Sequence, residues 1–365
     1  MVVTLYVMTS TRTRQLKSNR GNMAIKKTTT TAKILSVLAI GSASLAAFSA
    51  RAHHSPRLFD MSSVLAFEAT VSRVHWANPH TYYYVEAPGE DGEPVEWQLE
   101  TDAITLLERS GWTKETLRPG DRVAVRAHPD RNRARNHGLI DSIRTDDGTV
   151  LTSVPGQEKA EAASSLSGQW AQFTIPLGQI FGQLAEIPLT ESGIAAKAQF
   201  DPRSDDPVSD CIGYPPPTAQ ILLYYVNEID VRDDRVVIRN EFFDSERVVY
   251  LDGRGHPVDG PRTNEGHSIG RWEDGVLVVD TTNFADYRST FPGTGIPSGE
   301  RKHLVERYAL SEDGTRINLD FVLEDPEYLA EPFAATIEWE HSPHLEMSSF
   351  GCELEEARIY LGPSP

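Results

Sequence analysis

The chain has 365 residues, with 35 basic and 53 acidic side chains and a formal charge of −18. Residues 1–52 hold eight of those basic groups and none of the acidic ones, so the remaining 313 residues carry 27 against 53, about −26. A surface of that sign repels phosphate backbones and argues against nucleic acid as a partner, while the length allows two domains that each bury a core.

The first element reads as a targeting segment. Ile34 to Phe48 is a short run of apolar and small residues, preceded by Lys26, Lys27 and Lys33 and followed by Ala50-Arg51-Ala52. A basic start, a short apolar run and a small-x-small site predict a secretory signal peptide cut near Ala52, hence a periplasmic or secreted protein. Met23 is the better start for a signal of ordinary length. No second stretch of about 20 apolar residues follows, so no integral membrane segment is expected in the mature chain. Cleavage would leave His53-His54-Ser55 at the amino terminus. A free amine beside two imidazoles can ligate copper, with His80 as a third ligand, and the set resembles the histidine brace of copper monooxygenases. The competing reading is a frayed, exposed end.

Residues 53–152 read as a compact β domain. Ser63 to Trp76 alternates like a strand, with Val64, Phe67, Val71 and Val74 along it. His80–Glu86 and Val95–Glu100 predict two more strands, and Ala103–Ser110 a short helix stopped by Gly111. A turn at Pro119-Gly120 leads into a fourth strand, and Gly138–Arg144 gives a fifth. Three strands, a helix and two strands is the order of an OB-like small barrel. Residues 153–168, small, polar and charged, read as an interdomain linker open to proteolysis, with separately folding domains on either side.

Residues 169–365 are mostly β-patterned. Asp233-Asp234, Glu273-Asp274-Gly275 and Asp313-Gly314 each separate two alternating runs, which predicts three hairpins. Arg247–Leu251 and Ala334–His341 add further strands. Sequential antiparallel strands favour a calycin-like barrel or a meander sandwich, and Gly168-x-Trp170 resembles the opening of lipocalin-like calycin barrels. The apolar stretch Trp170–Leu189 reads as a core-packing arm or as a lid over a barrel mouth. Cys211 and Cys352 are the only cysteines, and in an oxidising compartment they should pair as a disulfide.

Several motifs are familiar together. Ala52-His-His-Ser55, Phe59-Asp60, Trp76-x-Asn78-Pro79-His80, Gly111-Trp112 and Leu117-x-Pro119-Gly120-Asp121 resemble an exported proteobacterial domain family of unknown function. Asp210-Cys211, Tyr250-Leu-Asp-Gly-Arg254, His256-Pro257, Gly266-His-Ser-Ile-Gly-Arg-Trp272 and Leu277-Val-Val-Asp-Thr281 resemble a second such family. These resemblances imply export and a two-domain split, and no reaction.

Asp252, His256, His267, Arg271 and Asp280 lie close together in the chain, at predicted strand ends and turns. A neutral His beside a carboxylate suits proton transfer near neutral pH. Asp280 interrupts the apolar run Val276–Val279, so it is expected to point inward and pair with His267 or Arg271 as a catalytic set. Asp252, His256 and Trp272 are the candidate ligand-binding residues. The alternative reading of these groups is a structural ion pair or turn cap. His303 and Glu306 should face opposite sides of a strand, and Glu306 and Arg307 read as solvated. No nucleophile elbow, phosphate loop, dinucleotide fingerprint or His-Glu-x-x-His is present. The leading expectation is a C-terminal barrel that binds a small, largely apolar ligand. The alternatives are an acid–base enzyme at His267, Asp280 and Arg271, or a copper-binding accessory protein using His53, His54 and His80.

Overall fold

The structure, a computed structural model, describes residues 58–89, 92–174, 177–201, 205–286 and 294–358. The expected signal segment, His53 and His54 lie outside the described residues. In the first barrel the strands are β1 (Leu65–His75), β2 (Tyr82–Pro88), β3 (Pro94–Glu100), β4 (Arg122–Pro129) and β5 (His137–Thr145), with helix α1 (Ile104–Arg109) between β3 and β4. The order β3-β2-β1-β4-β5 closes through a parallel β3–β5 pairing, and the two-residue β6 (Val150–Leu151) adds to β5. The period-2 pattern of β1 buries Ala69 and Val71 and leaves their neighbours outside. Val71, Val85, Leu99, Leu107, Val125 and Ile143 fill the interior around Trp112. The Trp112 indole N–H donates to the Thr152 carbonyl at 2.9 Å, which satisfies the one polar atom that this large side chain takes inside.

The second barrel has nine strands: β7 (Gly168–Ala171), β8 (Val226–Val231), β9 (Arg235–Asn240), β10 (Ser245–Tyr250), β11 (His267–Glu273), β12 (Val276–Thr282), β13 (His303–Leu310), β14 (Arg316–Glu324) and β15 (Phe333–His341). Strands β8 to β15 follow one another around the barrel, and β7 closes the gap between β15 and β8. The closed ring decides between barrel and sandwich. The turn before β12 uses Asp274 and Gly275, both at positive φ, as a tight Asp-Gly hairpin requires. Between β7 and β8, helices α2 (Leu177–Glu186) and α3 (Glu191–Gln199) replace a simple loop, and Ile180 and Leu184 of α2 are buried in the barrel core. Trp170, Ile180 and Leu184 thus act as core-packing residues of this stretch. Among the described residues, no helix is long and apolar enough to cross a membrane.

One neighbour pair breaks the antiparallel pattern. β10 and β11 run parallel, with Val249 opposite Ser268 and Tyr250 opposite Ile269. Parallel neighbours need an excursion between them. Residues 251–266 make it, leaving and rejoining the sheet at the same level, so the excursion carries its side chains back against the barrel wall.

The barrel interior is apolar around Trp170, Phe321, Ile337 and Trp339, but it also contains a polar network. Arg247 on β10 donates to both carboxylate oxygens of Glu306 on β13, at 2.5 and 2.9 Å. Glu306 also accepts from the Tyr308 hydroxyl at 2.8 Å and from the Gln220 amide at 3.1 Å. Glu306 is fully buried, which corrects the expectation that it is solvated; Arg307, the next residue on β13, is exposed and bonds Glu273.

The two barrels share a third apolar cluster. Ala103 and Leu106, at the start and in the middle of the α1 turn, pack with Val208, Tyr214, Leu222, Tyr225, Phe242 and Phe350 of the C-terminal half. Arg109, in the last turn of α1, makes a two-point ion pair with the fully buried Glu241, both contacts at 2.6 Å. Asn78 holds the Phe350 carbonyl through its side-chain amide. The disulfide Cys211–Cys352 forms as expected and pins the segment after β15 beside this joint. The stretch between the barrels is also pinned: Ala163 N–H donates to Gly314, Gln157 to Glu340, and Leu166 enters the core. A shared cluster with a buried ion pair couples the halves.

Candidate functional site

The excursion between β10 and β11 builds the site. It rejoins the sheet at Gly266, whose φ of +71° and close approach to the Thr282 carbonyl leave no room for a Cβ. His267 follows at once. Strand parity then sorts β12: Leu277, Val279 and Thr281 face the interior, so Asp280 faces outward. The expected inward Asp280 is therefore corrected. Its neighbours across the sheet are Ile269 on β11 and Val305 on β13, both half-buried.

On this outer face Asp280 Oδ1 lies 3.0 Å from His256 Nε2 and 3.0 Å from His303 Nε2. His256 Nδ1 lies 2.9 Å from His267 Nδ1. His303 Nδ1 in turn meets Glu324 Oε2 at 3.2 Å. The Tyr250 ring stacks on His267 with centroids 5.5 Å apart, and Arg254 lies over the other part of the same assembly, 3.8 Å from the Tyr250 centroid. Arg254 is itself held by Asp252 through a 2.5 Å contact.

The structure therefore joins three of the expected residues, His256, His267 and Asp280, and links Asp252 to them through Arg254 and Tyr250. It does not join the other two. Arg271 pairs with Glu273 at 2.7 Å and is more than half exposed, and Trp272 is 45% exposed at the hairpin end. His303 and Glu324 are the members that sequence reasoning missed. Register could have found His303: it lies two residues from Val305, the partner of Asp280, on the same face.

The network constrains where the protons sit, an assignment made from the bonding pattern. If Asp280 accepts from both Nε2–H groups, a neutral His256 has a bare Nδ1. That nitrogen accepts from His267 Nδ1–H, and His267 is left with an unprotonated Nε2. Among the described residues no group bonds that Nε2. Burial, then the neighbouring His256 and Arg254, push the His267 pKa below its ordinary value. His303, between two carboxylates, satisfies both only when it carries both protons. The arrangement is a base, a ring that orients it, and a carboxylate that orients the ring.

The N-terminal barrel contains the other histidine group. His80 is buried, with Nδ1 3.0 Å from the Thr101 carbonyl and 3.6 Å from Glu100. His137 lies between Glu100 and Asp130, 3.1 Å from the latter. Burial opposes the charge on His137, but Asp130 and Glu100 outweigh it and raise the pKa. Burial likewise works against the Glu100 carboxylate, and His80 and His137 overcome it and hold the pKa low. These are interior groups placed as ion pairs, with Glu100 Oε1 and His137 Nε2 left without a hydrogen bond. Among the described residues, no set of three or more His, Cys, Asp or Glu side chains is arranged to hold a metal ion.

Comparison with known proteins bears on the first barrel alone: residues 41–140 match a family of unknown function (DUF6152). No curated protein matches the chain.

Proposed function

We propose that the C-terminal barrel binds a small, largely apolar molecule on its outer face and acts on it by acid–base chemistry, with His267 as the base. The observation that carries this reading is the chain of contacts from His267 Nδ1 through His256 to Asp280, which leaves Nε2 of His267 free. A lowered pKa keeps that nitrogen unprotonated near neutral pH. The half-buried Ile269, Val305 and the Tyr250 ring supply an apolar floor around the polar line. Proton abstraction, hydration and elimination all begin with such a base. The disulfide supports an oxidising, extracytoplasmic setting, periplasmic or secreted, for this chemistry.

The test is proton exchange. Wild-type protein and His267→Gln are incubated in heavy water with a panel of small ketones, enones and epoxides, and exchange or hydration is followed by NMR. Turnover by the wild type that falls about a hundredfold in the variant, at unchanged melting temperature, supports the proposal. Equal rates in both proteins would remove His267 from the chemistry.

A further inference from the structure

Inside the same barrel lies a second group of charged side chains that the outer histidine site does not use. Lys302, just before β13, is 1% exposed. Its Nζ stands 4.1 Å from the centre of the Phe284 ring and has no hydrogen-bond partner. Ser298, on the same turn, is fully buried, and its hydroxyl is also without a partner. Gly299, between them, donates its N–H to Asp325 at 2.7 Å. Buried polar atoms in folded proteins are nearly always bonded, so two bare ones on one turn point to something that belongs there. A charged ammonium left unpaired in an apolar wall is costly, and the neutral amine is the cheaper state.

Charge narrows the choice of ligand. Asp325, Glu265 and Glu306 all act on Lys302, and Arg247, which opposes them, is itself committed to Glu306. Burial brings Lys302 down to about 7 and pushes Glu265, at the partly exposed end of the excursion, up to about 7. An anion would meet three carboxylates. A neutral acceptor that becomes cationic on reaction meets the reverse: its developing charge is stabilised.

We propose that Lys302 is the nucleophile of a carbonyl-binding site in the barrel interior, taking a small aldehyde or ketone as a protonated imine. The neutral Nζ adds to the carbonyl carbon, and one of its protons moves to the oxygen to give the carbinolamine. The Ser298 hydroxyl bonds that oxygen. Glu265 gives its proton to the departing hydroxyl, the C–O bond breaks and water leaves. One amine, one carbonyl and one acid proton become one iminium, one water and one carboxylate, with no oxidant or reductant needed. The iminium is then opposed by Glu265, Asp325 and Glu306. The site lies on the inner side of the wall that carries His267 on its outer side, and it stands or falls separately.

The experiment is reductive trapping on the full chain. Native protein near neutral pH is treated with propionaldehyde and sodium cyanoborohydride, and digests are read by mass spectrometry. The exposed Lys114 and Lys159 serve as internal controls. The expected result is a propyl adduct at Lys302 that accumulates about tenfold faster than at either control. It should slow several-fold in Glu265→Gln and persist unchanged in His267→Gln. Labelling of Lys114 and Lys159 with Lys302 untouched until urea is added would overturn the proposal, as would equal rates at all three. Because the wild-type protein gives the primary readout, a poorly folding Lys302→Met leaves the test intact.

Discussion

The two faces of strands β10 to β13 carry similar chemistry to opposite ends. Inside, Arg247, Glu306 and Tyr308 form a buried network in which each of the three bonds the others. Outside, His256, His267, Asp280 and His303 form a line that is between about one-fifth and one-third exposed and ends in an open nitrogen. The Arg247–Glu306–Tyr308 network contributes to the fold, and its hydrogen-bonding groups are committed to one another. An open one contributes little to the fold and can exchange protons with something else. The contrast separates structural from chemical histidines and carboxylates without reference to any relative.

The largest effect should come from breaking the inner pair. Glu306→Leu leaves the Arg247 guanidinium buried and unpaired and should cost about 3–5 kcal/mol in denaturant unfolding, while the double change with Arg247→Met should recover much of it. A small loss in the single variant would mean that water reaches the network, and the contrast between the faces would dissolve.

Opening the disulfide tests the joint between barrels. Cys211 and Cys352 are 141 residues apart in sequence, and their replacement by serine should cost about 3–5 kcal/mol in the chain-entropy picture. Arg109→Met should follow at about 3 kcal/mol, because Glu241 would be left inside without its cation. Both should expose residues 152–167 to protease; a folded N-terminal fragment released from the wild type would contradict the shared cluster.

On the outer face the stability effect should nearly vanish. Asp280→Asn should move the melting temperature by only a few degrees while slowing proton exchange about a hundredfold. A severe loss of stability would reassign Asp280 to the structural side.

The smallest effects concern pH. His137 has a raised pKa in the folded state, so its contribution is fully present below the ordinary histidine value and is lost as pH rises through the folded value. Glu100, held low, contributes above its ordinary value and loses that contribution as pH falls through the folded one. His267 is lowered, so base activity should persist into mildly acidic solution, below the pH at which free histidine is half protonated. His137→Gln and Glu100→Gln compared by urea midpoint across pH, and His267→Gln compared with the wild type by exchange rate, separate the three.

Much of this was legible in the sequence, and the failures share a cause. Strands read well wherever one side is wet: β1, β14 and the Asp-Gly hairpins keep a clean alternation. The run Val276–Val279 does not, because the outward Val278 is buried as deeply as the inward Leu277 and Val279. With both sides of β12 covered, alternation gives no parity, and the direction of Asp280 was misread. Glu306 was misread for the complementary reason: its partner Arg247 lies three strands away around the barrel, and nothing local distinguishes a paired inner glutamate from a solvated one. His256, His267 and Asp280 were found because the excursion keeps them near in sequence. His303 and Glu324 arrive by lateral register, which becomes visible only once the strands are laid side by side.

The segment after β15 sets the order in which the molecule can be completed. Phe350 packs among Leu106, Tyr225 and Phe242, and Cys352 closes the link to Cys211. All fifteen strands have already been synthesised by His341. A ribosome that has just finished β15 has therefore made every strand of both barrels and all of the seam except the stretch that carries Phe350 and Cys352, so the last part of the chain acts as the fastener for a structure whose panels were made first.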